Sequence, residues 1–261
     1  MRFGLIGAGA IAQAYAEAFR RSREAQLVAV TDVRHEVAQA LAETMQCAAF
    51  PTLTSLLAET DVDGVVICTP PVTHPDLARE ALEADVAVLC EKPLSIDVES
   101  ARDMADAAKA AGQLITMASK FRYCRDIQRA KSMVESGVIG EVVLFENCFT
   151  GYVDMSRRWN SNPEISGGGV LVDNGTHSVD IMRYFLGPIV DLQVTEGIRI
   201  QPIAVEDTAR MFVRSASGVM GSIDLSWSIH KPAPEFLSIY GSKGTIQVGW
   251  KESKWRAAGG D

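Results

Sequence analysis

The chain begins with a group of residues whose spacing suits an anion. Gly7-Ala8-Gly9-Ala10-Ile11-Ala12 reads Gly-x-Gly-x-x-Ala, between an apolar run and a helical pattern. In that context the first glycine allows a tight turn and the second lets a pyrophosphate approach the backbone. The small third residue keeps helix and strand close, and the helix N-terminus faces the anion. Gly7, Gly9, Ala10 and Ile11 are therefore candidate cofactor contacts. Asp32 closes the second apolar run, where a carboxylate accepts hydrogen bonds from ribose hydroxyls and repels a 2′-phosphate, favouring NAD. Arg34 is close enough in sequence to accommodate that phosphate, so NADP stays open.

Two further groups can move protons. Glu91-Lys92-Pro93 follows an apolar run. Proline biases the preceding lysine toward an extended backbone. A lysine partly desolvated beside a cationic nicotinamide has a lowered pKa, as proton transfer near neutral pH requires; the alternative is a surface lysine at a turn. Asp173, His177 and Asp180 stand at i, i+4 and i+7, one face of a helix. An aspartate one turn from a histidine can orient and charge an acid/base imidazole. The same three side chains could ligate a metal, or the histidine could simply bond to its neighbour. A nicotinamide enzyme oxidising an alcohol needs only a base, not a metal. Gly167, Gly168 and Gly169, just before this helix, would permit close approach of a ligand or of the first domain.

The elements that must position these groups follow from periodicity. Continuous apolar runs at 2–6, 26–31, 64–69, 86–91 and 114–118 alternate with helical patterns at 10–21, 36–45, 75–84 and 98–111. Apolar strands separated by helices predict a doubly wound parallel sheet covered on both faces. Beyond Lys120 the pattern changes. Helices are expected at 126–136 and from the glycine run to about residue 186, and a strand at 142–152. Strand-like runs follow at 189–200, 208–214, 219–227, 236–240 and 245–250 without helices between them, as in an antiparallel α+β domain. The chain is thus expected to divide into a Rossmann domain, 1–120, and an α+β domain, 121–261.

Composition limits the function. With 261 residues, 25 Lys+Arg and 33 Asp+Glu, the net charge is −8 and 47% of residues are hydrophobic. That is a globular balance, and its acidity excludes a general nucleic-acid binder. No apolar run reaches the length a membrane span needs. The five cysteines (Cys47, Cys68, Cys90, Cys124, Cys148) are odd in number with no Cys-x-x-Cys pair, which favours a reducing cytoplasm over a disulfide framework or zinc site.

The glycine loop, Glu91-Lys92-Pro93 and Gly168-Gly169-Val170-Leu171-Val172-Asp173-Asn174-Gly175-Thr176-His177, in this order, resemble the glucose–fructose oxidoreductase / inositol dehydrogenase / rhizopine-catabolism (Gfo/Idh/MocA) family. The resemblance covers essentially the whole chain. It implies an N-terminal Rossmann domain, a C-terminal domain with an open, mostly antiparallel sheet, and an NAD(P)-dependent dehydrogenase acting on a sugar or nucleotide-sugar hydroxyl. Lys92 would touch nicotinamide ribose and substrate, His177 would be the acid/base, and Asp173 would assist. Glu91, with Thr69, Pro70 and His74 of Cys68-Thr69-Pro70-Pro71-Val72-Thr73-His74, would line the cofactor. Lys120 and Arg122 would hold a carboxylate or diphosphate of the substrate, unless they are simply two exposed cations at a domain junction, and Asn174 would contact substrate. Ser156-Arg157-Arg158-Trp159-Asn160 is similar to the sugar-recognising stretch of nucleotide-sugar 3-dehydrogenases that act on UDP-N-acetylglucosamine, with Trp159 as a stacking face, Arg157 or Arg158 as a diphosphate clamp and Asn160 beside them. The resemblance further implies a homo-oligomer, dimer or tetramer, and a second domain shortened at its C-terminus. The alternative function is a non-catalytic NAD(P)- or sugar-sensing regulator on the same fold.

Overall fold

A computed structural model describes residues 1–231 and 233–259. The chain divides into two compact units, Met1–Ala118 and Ser119–Asp261.

In the first unit strands and helices alternate: β1 (Arg2–Ile6), α1 (Ala10–Arg21), β2 (Gln26–Thr31), α2 (His35–Met45), β3 (Ala48–Phe50), α3 (Leu53–Glu59), β4 (Gly64–Ile67), α4 (His74–Glu83), β5 (Ala87–Cys90), α5 (Val98–Ala111) and β6 (Ile115–Met117). The sheet order is β3-β2-β1-β4-β5-β6, and every pairing is parallel. All four residues of β4 are buried, as expected of a strand with a helical layer on each face. One layer packs Ala12 and Ala16 of α1 and Ala38, Leu41 and Ala42 of α2 against Leu5, Val30 and Val66. The other packs Ala78, Ala81 and Leu82 of α4 and Met104 and Ala108 of α5 against Ile6, Val65, Ile67 and Val88. Alanines at the helix–sheet contacts let the helices lie close. Because the strands are parallel, the segments that leave β1, β2, β4 and β5 emerge at one edge. Strands are added on one side of β1 up to β3 and on the other side from β4 onward, so the order reverses between β1 and β4, the switch point where open α/β sheets bind ligands.

β3 and α3 are additions to the sequence expectation. β3 has three residues and α3 seven, too few for a period to show. Thr52 starts α3 with a capping box: its hydroxyl accepts from Ser55 N (3.1 Å), while Thr52 N donates to Ser55 Oγ (3.3 Å).

The second unit contains α6 (Arg125–Glu135), β7 (Val142–Thr150), the short α7 (Pro163–Ser166), α8 (Val170–Leu186), β8 (Ile189–Glu196), β9 (Thr208–Ser215), β10 (Met220–Ser226), β11 (Glu235–Gly241), β12 (Gly244–Gly249) and β13 (Ser253–Ala257). The sheet order is β13-β12-β11-β7-β10-β9-β8. The sheet is mostly antiparallel, but β7 and β10 run parallel, from Leu144↔Met220 to Thr150↔Ser226. That mixed pairing, the strand β13 and the end of β8 at Glu196, short of residue 200, depart from the expectation. β9 alternates buried Ala209, Met211, Val213 and Ser215 with exposed Arg210, Phe212 and Arg214. Its inner side chains, with Phe145, Ile223 and Leu225, receive Ile181, Met182 and Phe185 of α8. Burying each such side chain stabilises by roughly 1.5–3 kcal/mol, which holds α8 to the sheet.

Candidate active site: a phosphate loop and an Asp-His helix

In the first unit the candidate cofactor residues gather at the edge where β1, β2, β4 and β5 end. Gly7 has φ +89°, and a Cβ there would sit 2.9 Å from Thr69 Cγ2 and 3.0 Å from the Cys68 backbone, so only glycine fits. Its N–H donates to Thr31 O at 2.8 Å, tying the loop to the end of β2. A Cβ on Gly9 would meet nothing within 4 Å. Gly9 is the N-cap of α1, with no side-chain cap and no acidic residue in the first turn. The first N–H groups of α1, with Ala10 and Ile11 exposed beside them, therefore face open space that suits an anion.

Asp32 sits against this loop. Its Oδ2 accepts from Ala8 N at 2.8 Å and its Oδ1 from Arg34 N at 2.9 Å. The side chain is 10% exposed, whereas that of Arg34 is 64% exposed with Nε 3.8 Å from Asp32 Oδ1. The carboxylate is fixed and the guanidinium is loosely held. A dinucleotide fits this donor set: amides and a helix N-terminus for phosphates, and an anchored carboxylate for ribose hydroxyls.

Thr69 and Pro70 form the turn after β4. Thr73 Oγ1 donates to Pro70 O at 2.8 Å and pairs with Thr69 Oγ1 at 2.7 Å. His74 differs from the expectation of a cofactor contact, because it is fully buried. Its Nε2 lies 2.8 Å from Thr69 O, and its Nδ1 lies 3.0 Å from Pro93 O and 3.3 Å from Leu94 O. Burial pushes the imidazole below its usual pKa, against the pull of these carbonyls. His74 braces the turn after β4 to the segment after β5 and presents no surface to a ligand. Glu91 and Lys92, both half-buried, leave β5 at the same edge. The Glu91 carboxylate accepts from Tyr15 Oη at 2.8 Å and from Lys92 N at 3.0 Å.

In the second unit α8 carries Asp173, Asn174 and His177, all half-buried. Its N-terminus is occupied by the chain itself. The Glu206 carboxylate accepts from Gly169 N (2.9 and 3.0 Å) and Leu171 N (2.9 Å), and Glu206 O accepts from Val170 N at 2.9 Å. A Cβ on Gly169 would lie 2.0 Å from Glu206 O. The close approach that the glycine run was expected to offer a ligand or the first domain is thus taken at Gly169 by Glu206, which satisfies the helix N–H groups and its dipole.

Arg122 and Asp180, expected to serve apart, are paired. Arg122 Nε donates to both Asp180 oxygens at 2.8 Å, and its NH2 group lies 2.6 Å from Oδ1. The carboxylate that Arg122 holds is therefore the chain's own, and the pair fastens the 3-10 turn Lys120–Tyr123 to α8. Phe121, buried between the two cations, packs edge-on against the His177 ring, with centroids 5.1 Å apart and planes at 80°. Lys120 Nζ lies 5.2 Å from the Phe121 ring centre. Arg157, Trp159 and Asn160 lie on the loop between β7 and α7. Arg157 is exposed, Trp159 is 41% exposed and opens a 3-10 turn, and Asn160 is half-buried. Behind this loop, buried Gln201 donates to Val153 O (2.9 Å) and accepts from Met155 N (2.8 Å). Gln201 N and Ser228 Oγ donate to Asp207 Oδ2 at 2.9 and 2.7 Å. Among the described residues no group of three His, Cys, Asp or Glu side chains is gathered as a metal ion would require. No described helix is long and apolar enough to cross a membrane.

Comparison with known proteins agrees with this geometry. Residues 1–119 match the oxidoreductase family with an NAD-binding Rossmann fold, and residues 127–247 match the GFO/IDH/MocA C-terminal domain. Inositol 2-dehydrogenase of Rhizobium meliloti is 29% identical over 255 residues, covering 94% of this chain and 74% of that protein. D-glucoside 3-dehydrogenase of Escherichia coli is 33% identical over 199 residues, covering 72% of this chain and 54% of that protein. The WlbA dehydrogenase of Chromobacterium violaceum, solved with NADH and UDP-GlcNAcA, superposes with a TM-score of 0.90 at 26% identity, covering 100% of this chain and 78% of that one. With its NAD-binding and C-terminal halves matched in order, the chain belongs to the Gfo/Idh/MocA family of oxidoreductases.

Proposed function

We propose that the protein oxidises a ring hydroxyl of a sugar or nucleotide sugar with NAD, or runs the reverse reduction. The observation that carries this reading is Asp173 and His177 one turn apart on α8 in a chain whose first unit presents an uncapped helix N-terminus beside the anchored Asp32. When bound, NAD supplies the hydride acceptor. The amides at Gly7–Ile11, Thr69, Pro70 and the Glu91 segment hold it, and Asp32 selects it over NADP by repelling a 2′-phosphate. His177 takes the proton of the reacting hydroxyl, and Asp173 orients and charges the imidazole. The Lys92 ammonium eases negative charge on the hydroxyl oxygen as the proton leaves. Lys120, Arg157, Trp159, Asn160 and Asn174 contact the sugar or its diphosphate, and Arg122 acts through Asp180 to fix the turn that carries Phe121.

Relatives named for inositol and glucosides, and one solved with a UDP-sugar, support the substrate class. Five free cysteines support a reducing cytoplasm. Exposed Phe212 and Met220, on the outer side of β9 and β10, support a homo-oligomer. The test is a thermal-shift and NADH-formation panel crossing NAD and NADP with inositols, free aldoses, glucosides and UDP-sugars. A true pair raises the melting temperature by mass action and yields NADH. Stabilisation by NAD with no oxidation of any sugar at any pH would instead favour a sensor.

A further inference from the structure

The Glu91 carboxylate joins two parts of the first unit that are far apart in sequence. Its Oε1 accepts the Tyr15 hydroxyl at 2.8 Å, 76 residues away, and its Oε2 accepts the Lys92 backbone N–H at 3.0 Å. Tyr15 belongs to α1, the helix whose N-terminus forms the phosphate site. The Glu91 N–H is fixed by Ile67 O at 2.9 Å, so the residue is anchored at the end of β5. Burial, and then the Glu91 charge, push the Tyr15 phenol far above its usual pKa, so it remains a donor at any working pH. On the other flank, His74 meets Pro93 O and Leu94 O at 3.0 and 3.3 Å. The peptide on each side of Lys92 is thereby held from the interior of the unit.

We propose that Tyr15 is a positioning residue for Lys92: its hydroxyl locks the Glu91 carboxylate in the orientation in which the second oxygen fixes the Lys92 main chain. Without the hydroxyl, a half-buried carboxylate loses a donor and turns toward water, releasing the Lys92 N–H. The lysine stem then starts from a mobile backbone, and its ammonium spends less time where the reaction needs it. The same link ties the lysine to the helix that receives the cofactor phosphates. This inference rests on the role given to Lys92 above.

The test is Tyr15→Phe, which keeps the ring, alone and combined with Lys92→Ala, in the full chain. With NAD and the fastest sugar of the panel, Tyr15→Phe lowers kcat about 10–100-fold, the loss expected for one hydrogen bond to a charged group. The KM for NAD and the NADH affinity change far less than kcat, because the glycine loop and Asp32 keep their places. In the Lys92→Ala background Tyr15→Phe costs nothing further, because the residue acts through the lysine. An equal cost in both backgrounds, or no cost beside an intact Lys92, overturns the proposal. Full turnover of Lys92→Ala removes the role of Lys92 first, and this inference with it. A second reading needs no sugar: lysine amines are 13C-methylated, and the Lys92 resonance is identified by its loss in Lys92→Arg. With NADH alone, Tyr15→Phe shifts that resonance and leaves the other lysines in place; an unmoved Lys92 signal overturns the proposal. If Tyr15→Phe fails to fold, Glu91→Gln takes its place, with the same resonance expected to move.

Discussion

At the scale of single residues, two half-buried groups are assigned the proton chemistry. His177 has the Phe121 ring set nearly perpendicular to its own, and Lys92 follows the fixed Glu91. Replacing either by alanine is expected to cut turnover about 10²–10⁴-fold, the range for losing an acid/base group. Binding of NADH, followed by its fluorescence, should persist in both variants. Normal turnover in both would refute the assignment. Asp32 is proposed to select the cofactor, and in a different way. It is anchored by Ala8 N–H and Arg34 N–H, so its charge cannot swing aside when a 2′-phosphate enters. Asp32→Ser removes the repulsion and leaves the exposed Arg34 nearby as a partner for that phosphate. The ratio of kcat/KM for NAD to that for NADP should fall by about tenfold or more, corresponding to about 1.4 kcal/mol. An unchanged ratio would mean that the selection lies elsewhere.

At the scale of elements, α8 is the piece that matters most, and its start depends on one atom-to-atom approach. Gly169 brings its Cα against Glu206 O, where a Cβ would be 2.0 Å away. Gly169→Ala must push either the helix or the 206 segment back, breaking the carboxylate cap. Overpacking of this kind costs about 1–3 kcal/mol, which lowers the melting temperature by several degrees in a domain of this size. Turnover should fall as well, because the displaced helix carries Asp173 and His177; an unchanged melting temperature would show that the helix start yields without cost. This element also shows what the sequence could reveal. The Asp-His spacing and the glycine run are local patterns, and both read as the start of one helix. Glu206 is 37 residues beyond Gly169, and no local pattern marks it as the partner of that glycine. Phe121 was hidden for another reason: an aromatic between two cations carries no local mark of its partner, and the structure sets one cation against Asp180 and the aromatic against His177. The phosphate loop was legible because strand, turn and helix are contiguous. β3 and α3 were not, being held by neighbouring strands and a capping box rather than by their own periodicity. The parallel pairing of β7 with β10 joins strands separated by about half of the second unit, and alternation alone carries no direction.

At the scale of the whole molecule, a chain of net charge −8 is proposed to bind a dianionic cofactor, and the two facts set limits on each other. Charges spread over the surface act on the ligand through water and salt, with a Debye length of about 8 Å at physiological ionic strength. The amides at the start of α1 act in direct contact and are screened far less. If those amides supply the affinity, added salt screens the overall repulsion while leaving the contacts intact. NADH affinity should then hold steady or strengthen as salt rises from low to physiological. A site built on exposed cations would behave oppositely, so a steep loss of affinity with salt would transfer the phosphate contact to groups such as Arg34, 64% exposed. The same binding should appear as stability of the first unit. At about 100 times Kd, NADH adds about 2.7 kcal/mol by mass action. Hydrogen exchange should slow at the glycine loop, the 69–74 turn and the 91–95 segment, since these share the edge at which β1, β4 and β5 end. Slowing confined to the glycine loop would separate the phosphate site from the lysine segment and would contradict the bridge from α1 through Glu91 to Lys92.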